Sequence, residues 1–280
     1  MNFSLKKTIN IAIDAHVVDW FNHDELHHSF IFNAHELEDI CRLGDYDFII
    51  CCALKYDLGL QLLQKLDSGK KNTNKKTKKT QYLTHQIDIG LFVKQNQQSF
   101  PASKKTLFSQ AIGRKTQKVI DATGGWLGDT LLMCSQNYQV TVLERHWILQ
   151  GFIAEACERL SETQWLQKNQ APLPELVKTD AIEYLQKGNV DADCIYIDPM
   201  FPPKVKKTAA VRKSMQVLHE LVGQDTDAME LFSAALSTNV QRIVVKRPDY
   251  AAPIEAGLSD NIRLTETLQG KLVRYDMYLR

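Results

Sequence analysis

Residues 118–129 read Lys-Val-Ile-Asp-Ala-Thr-Gly-Gly-Trp-Leu-Gly-Asp, and this stretch decides the fold. Lys118–Ala122 is a short apolar run with β-branched residues, the pattern of a buried strand. Gly124, Gly125 and Gly128 then form a glycine-rich turn, and Asp129–Ser135 continues as a helix. Strand, glycine turn and helix in that order let backbone approach a nucleotide-like ligand closely. In an open α/β sheet such ligands lie beyond the carboxyl ends of the strands. The turn does not fit G-x-G-x-x-G, so the strict dinucleotide fingerprint is missing.

Outward from this point the chain alternates strand and helix. Strands are expected at Lys118–Ala122, Gln139–Glu144, Glu175–Thr179, Cys194–Asp198 and Arg242–Lys246, with helices at Asp129–Ser135, His146–Leu166, Ala209–Val222 and Thr226–Ser237. Leu149, Phe152, Ile153, Ala156 and Leu160 repeat at three- and four-residue steps, an inward helical stripe. Asp225 and Asp227 are placed to cap the last helix. Ile262–Leu268 and Leu272–Leu279, around Gln269-Gly270, read as two strands joined by a tight turn. The expected class is α/β: a Rossmann-like sheet of the class I methyltransferase kind, with a terminal antiparallel hairpin.

Toward the amino terminus the pattern differs. Apolar runs at Ile9–Ile13, Phe30–Phe32 and Phe48–Ala53 precede a leucine stripe (Leu58, Leu62, Leu66) that predicts a helix over Leu54–Leu66. Residues 68–80 are polar and lysine-rich and read as a mobile loop, either a solvated insertion or an electrostatic footprint for nucleic acid. Gln86–Val93 alternates like a strand. Residues 1–95 are therefore expected to form a small α+β domain, and residues 96–280 the methyltransferase domain.

Composition sets bounds. In 280 residues the net charge is +1, so a nucleic-acid surface must come from local clustering. The six cysteines show no zinc spacing and read as buried free thiols; no metal is expected. No apolar run reaches the roughly 18 residues that span a bilayer, so a cytoplasmic protein with no membrane partner is expected.

Several residues stand where chemistry is expected. Glu144 ends the strand after the glycine turn, about 20 residues on, where ribose hydroxyls are held. Asp121 could accept from a cofactor amine and Asp180 from an adenine amine, although each also reads as a helix cap. Ile195-Tyr-Ile-Asp-Pro-Met-Phe-Pro-Pro203 is a second buried strand with Asp198-Pro199-x-Phe201 at its carboxyl end. An exocyclic amine on a base is a poor nucleophile. It needs an acceptor for its hydrogens and alignment with the methyl donor. Asp198 supplies the acceptor, Pro199 stiffens the loop, and Phe201 offers a stacking face, or else plugs an ordinary strand-end loop. Lys204, Lys206, Lys207, Arg212 and Lys213 follow, and Lys246-Arg247 stands at another strand end, a pattern that fits an arriving phosphate backbone. Together these features point to S-adenosylmethionine-dependent N-methylation.

Asp121–Asp129, Leu143-Glu-Arg145, Ile195–Pro202, Leu221–Ala228, Arg242–Pro253 and Arg274–Tyr278 resemble the ribosomal RNA small subunit methyltransferase J family. The resemblance covers most of residues 100–280. It implies a class I fold that transfers a methyl group from S-adenosylmethionine to N2 of a guanosine near the 3′ end of 16S rRNA, free or in the small ribosomal subunit. It also implies cofactor contacts at Gly128, Asp129, Glu144, Arg145, Asp180, Ala181 and Asp198, beside the Gly124 turn. The family's Arg-Asp pair after the glycine turn is Gly128-Asp129 here. A nicotinamide-dependent oxidoreductase and a non-catalytic RNA-binding module remain the alternative readings.

Overall fold

The computed structural model describes residues 11–21, 24, 26, 29–32, 36–43, 45–52, 59–65, 82–199, 221, 226–254 and 263–280. The chain divides into two compact units, Met1–Asp88 and Ile89–Arg280. Composition alone puts the boundary near residue 95. The lysine-rich run 68–80 and all but the end of the helix expected at Ala209–Val222 lie outside the described residues.

In the first unit, β1 (Ile11–Asp14), β2 (Ser29–Phe32) and β3 (Phe48–Cys52) form the parallel part of the sheet, each of β2 and β3 pairing with β1. The helix α1 (Leu37–Leu43) precedes β3, while β4 (Leu60–Lys65) and β5 (Tyr82–His85) extend the sheet antiparallel in the order β2-β1-β3-β4-β5. The helix expected over Leu54–Leu66 is thus corrected to a strand where it is described. Its leucines fit two periods, and pairing with β3 selects the two-residue one: Leu60, Leu62 and Gln64 are buried, while Gln61, Leu63 and Lys65 are less so. Cys51, Cys134 and Cys194 are buried, as expected of free thiols, but Cys52 is exposed.

The strand expected at Gln86–Val93 is also corrected. Only Tyr82–His85 pairs as a strand, and α2 (Ile89–Gln95) follows it. The alternation of Ile87, Ile89, Leu91 and Val93 gives way to a helical spacing, with Ile89 and Phe92 buried and Leu91 half exposed. Phe92 meets Trp165 edge-on at 5.1 Å, and that tertiary contact overrides the local pattern.

In the second unit, α3 (Leu107–Ile112) precedes a seven-stranded sheet. β6 (Lys118–Asp121) leads through α4 (Gly128–Ser135) to β7 (Gln139–Glu144). The chain then runs through α5 (Trp147–Ser161) and α6 (Gln164–Asn169) to β8 (Glu175–Lys178), and through α7 (Ala181–Leu185) to β9 (Cys194–Ile197). After α8 (Ala228–Ser237), β10 (Arg242–Pro248) is the last parallel strand, and β11 (Arg263–Gln269) and β12 (Val273–Leu279) form the terminal hairpin. The order is β11-β12-β10-β9-β6-β7-β8, with β12 antiparallel to β10. The parallel strands and the hairpin form as expected.

Two helices depart from expectation. His146–Leu166 is broken because Thr163 starts a new helix, its hydroxyl accepting from Leu166 N at 3.2 Å. Asp227 precedes α8 without a side-chain capping bond, since its carboxylate pairs with Arg145 instead; Asp225 lies outside the described residues. A guanidinium offers a charge-assisted partner, stronger than one backbone N–H.

All of β9 is buried, as a central parallel strand must be. The core on one side joins Ile120, Ile195, Ile197 and Val245 to Phe232 of α8 and Tyr278 of β12, whose rings lie 4.6 Å apart. Phe232 is fully buried, so Phe232→Ala is expected to lower the unfolding free energy by about 3–5 kcal/mol. Urea denaturation followed by circular dichroism measures this; a loss below about 1 kcal/mol would mean that α8 is not part of this core.

Candidate active site

The sheet changes direction between β6 and β9. From β6 the chain moves to β7 and β8 on one side, then returns to β9 and β10 on the other. Crevices open at such reversals, beyond the carboxyl ends of the strands. Here the last strand-to-strand link is Ala122 N to Tyr196 O, 2.9 Å, after which Asp198 N donates to Thr123 Oγ1 at 2.8 Å. A cleft of about 350 Å³ opens at this point. It gathers Asp121, Gly124, Gly128, Asp129, Glu144, Arg145, Asp180, Ala181, Asp198, Pro199 and Lys246. Phe201, Lys204, Lys206 and Lys207 lie outside the described residues.

The glycine turn is fixed from below. Gly124 N donates to Leu143 O at 3.2 Å, and a Cβ at Gly124 would meet Val142 Cγ1 at 2.7 Å, so only glycine fits. Gly128, the first residue of α4, has nothing within 4 Å of a Cβ position and leaves room in the cleft. Between them Leu127 has φ 57°, a left-handed conformation that is unfavourable for a leucine. Burial of its side chain to 1% exposure holds it there.

Asp121 points into the turn: its carboxylate accepts from Thr130 Oγ1 at 2.5 Å and Thr123 N at 3.1 Å. Burial raises its pKa to about 6, against the hydrogen bonds from Thr130 and Thr123 and helped by the nearby Asp129 and Asp198 charges. Glu144 accepts from Gly125 N at 3.1 Å and His146 N at 2.8 Å. Burial raises it to about 7, although backbone donors oppose the rise. Asp180 caps α7 through Ile182 N and Glu183 N, and also faces Arg145. Cap and cleft residue are here the same side chain.

Lys246 stands inside the cleft, its ammonium 2.8 Å from both Asp129 Oδ2 and Asp198 Oδ2. Arg247, next along the strand, points elsewhere: it is buried and donates to Ala252 O. Sequence reasoning missed Thr123 and Tyr196, and read Asp227 only as a helix cap. Tyr196, whose hydroxyl donates to Asp129 at 2.6 Å, carried a signal, because a tyrosine in a buried strand needs a polar partner. Thr123 carried none, and the Arg145 partner of Asp227 is set by the fold.

Among the described residues, six carboxylates line the cleft against two cations, Arg145 and Lys246, an acidic surplus that favours a cationic ligand. Leu149, Ile182 and Leu231 add apolar wall suited to a flat ring. Among the described residues no His, Cys, Asp and Glu side chains group to hold a metal, and no helix is long and apolar enough to cross a membrane.

Residues 58–280 match the family described as "Putative SAM-dependent methyltransferase". The chain is 36% identical over 195 residues to the ribosomal RNA small subunit methyltransferase J of Hydrogenovibrio crunogenus, covering 69% of this chain and 68% of that protein. It is 33% identical over 191 residues to the protein of that name from Tolumonas auensis, covering 66% and 73%. A crystal structure of a SAM-dependent methyltransferase from Neisseria gonorrhoeae shares the fold, with a TM-score of 0.60 at 20% identity over 96% of this chain and 95% of that one.

The folded protein holds a proton on Glu144 up to about pH 7, whereas the ordinary value is 4.5. This contribution to stability is complete below about pH 4.5 and is lost as pH rises through 7. Glu144→Gln is neutral throughout. Its stability relative to the native protein should therefore improve between pH 4.5 and 7, by up to about 3 kcal/mol at about 1.4 kcal/mol per pH unit between the two midpoints. Urea titrations at several pH values test this; a constant difference would place Glu144 in water.

Proposed function

The chain belongs to the ribosomal RNA small subunit methyltransferase J family, and from that premise we propose that it methylates N2 of a guanosine near the 3′ end of 16S rRNA. Its cofactor is S-adenosylmethionine, which supplies a methyl group on a positively charged sulfur. The observation that carries the reading is the meeting, in one acidic cleft, of the Gly124–Gly128 turn, Glu144 and Asp198. Family membership removes the oxidoreductase reading.

The residues present fit the cofactor. A sulfonium and an amino group are both cationic, matching the carboxylate surplus. Glu144 is a buried acceptor already oriented by two backbone N–H groups and suited to ribose hydroxyls. Asp180 and Ala181 stand beside the apolar wall for the adenine, and Gly128 leaves the space a side chain would fill. Asp121 acts mainly by fixing the turn.

Asp198 takes a hydrogen from the guanine amine. As the C–N bond forms and the sulfur–methyl bond breaks, leaving a neutral thioether, the amine grows acidic and its proton passes to Asp198. This acceptor therefore matters more in the transition state than in binding. Pro199 fixes its own backbone φ directly after Asp198. In this reading Phe201 stacks on the base and Lys204, Lys206 and Lys207 hold the RNA backbone. The substrate is the RNA or the small subunit containing it, which makes the protein cytoplasmic.

The direct test is the methylation state of 16S rRNA from cells lacking the gene. One guanosine near the 3′ end should lose its N2-methyl group by mass spectrometry, and the purified protein should restore it. Full methylation in the deletion strain would remove the reading. Asp198→Asn keeps the shape but accepts less well. In single-turnover assays with saturating RNA and cofactor it should slow transfer by about 10²–10⁴. Near-normal transfer would mean that alignment alone drives the step.

A further inference from the structure

Lys246 carries a sequence signature of RNA binding, a cation at a strand's carboxyl end followed by another cation. Its position in the fold says otherwise. Val245 pairs with Ile197 in parallel register, which sets Lys246 beside Asp198. The Lys246 ammonium donates to Asp198 Oδ2 and Asp129 Oδ2, 2.8 Å each, and Tyr196 donates to the same oxygen of Asp129 at 2.6 Å. The resulting chain runs from Tyr196 to Asp129 to Lys246 to Asp198, linking β9, α4 and β10 across the cleft floor. The lysine side chain is 22% exposed, with its ammonium turned onto the two carboxylates.

We propose that Lys246 is a positioning residue for methyl transfer: it fixes the Asp198 carboxylate at the acceptor position and holds Asp129 and Asp198 together. This rests on the reading of Asp198 given above. Without the ammonium the two carboxylates would repel each other, and Asp198 would turn from the β9 end toward water. Among the described residues, the charged and titratable groups around Lys246 are Asp129 on α4, Tyr196 and Asp198 at β9, and Tyr275 on β12. Asp121 on β6 adds its field to the two carboxylates. Burial works against the lysine's charge, but Asp198 and Asp129 outweigh it and keep Lys246 protonated beyond the ordinary lysine range. The ammonium therefore keeps its charge wherever the two carboxylates are ionised.

Lys246→Met and Lys246→Arg test this in the full-length protein. In Lys246→Met, the Asp198 carboxyl carbon, followed by NMR in the ligand-free protein, should titrate about 1–3 pH units higher, the range for losing an adjacent opposite charge. Turnover should fall about a hundredfold, the scale of a displaced group, and the acidic limb of its pH profile should move upward. KM for RNA and the salt dependence of RNA binding should not change. Lys246→Arg keeps the cation and should bring the Asp198 midpoint back toward that of the native protein and restore part of the turnover. An unmoved Asp198 midpoint in Lys246→Met would overturn the proposal. So would a loss confined to RNA affinity with a shallower salt dependence, the mark of a phosphate contact. If the native protein transferred no methyl group to RNA, the functional reading would fail, while the carboxyl titration would still judge the bridge.

Discussion

β6 and β9 cease to hydrogen-bond to each other after Ala122 and Tyr196, and the chemistry of the second unit is arranged around that parting. Two strands that separate leave backbone groups which the sheet no longer satisfies, at a depth where unpaired groups are costly. Side chains take over: Thr123 receives the Asp198 N–H, Glu144 the Gly125 and His146 N–H groups, and Asp121 the Thr123 N–H. The residues that close the loops are thus largely those that line the cleft. Structure and site share one set of hydrogen bonds.

The central strands were legible in the sequence because burial on both faces demands unbroken apolar runs, as in Cys194–Ile197, and little else satisfies that demand. The glycine turn was legible because Gly124 meets a steric limit that no other residue can obey. Leu60–Lys65 and Ile89–Gln95 were not, since each fits two periods and only its neighbours, β3 in one case and Trp165 in the other, decide between them. The site followed the same rule. Glu144 and Asp198 are placed by strand ends and could be read from local order. The partners of Asp227 and Lys246 come from elements far along the chain, Arg145 for the first and Asp129 with Asp198 for the second. A lysine that reads as an outward cation becomes an internal one because the sheet register turns it toward two carboxylates.

Charge in the cleft is managed unevenly. Burial raises Asp121 and Glu144 toward neutrality. Asp227 shifts the other way, its carboxyl held below the usual range by the hydrogen bond from Arg145. Acidic groups in one small volume therefore differ in how readily they carry charge, and a cationic ligand meets a graded surface rather than a uniform one.

The Glu144 carboxylate is held at two points by backbone donors before any ligand arrives. A carboxylate has about four acceptor sites, so acceptor capacity remains for a ligand hydroxyl without displacing these donors. A free glutamate would have to give up its rotamer freedom on binding, up to about 2 kcal/mol. This one has already lost that freedom when the chain folds. The entropy of ordering the acceptor is thus charged to the stability of the protein, and ligand affinity is spared it.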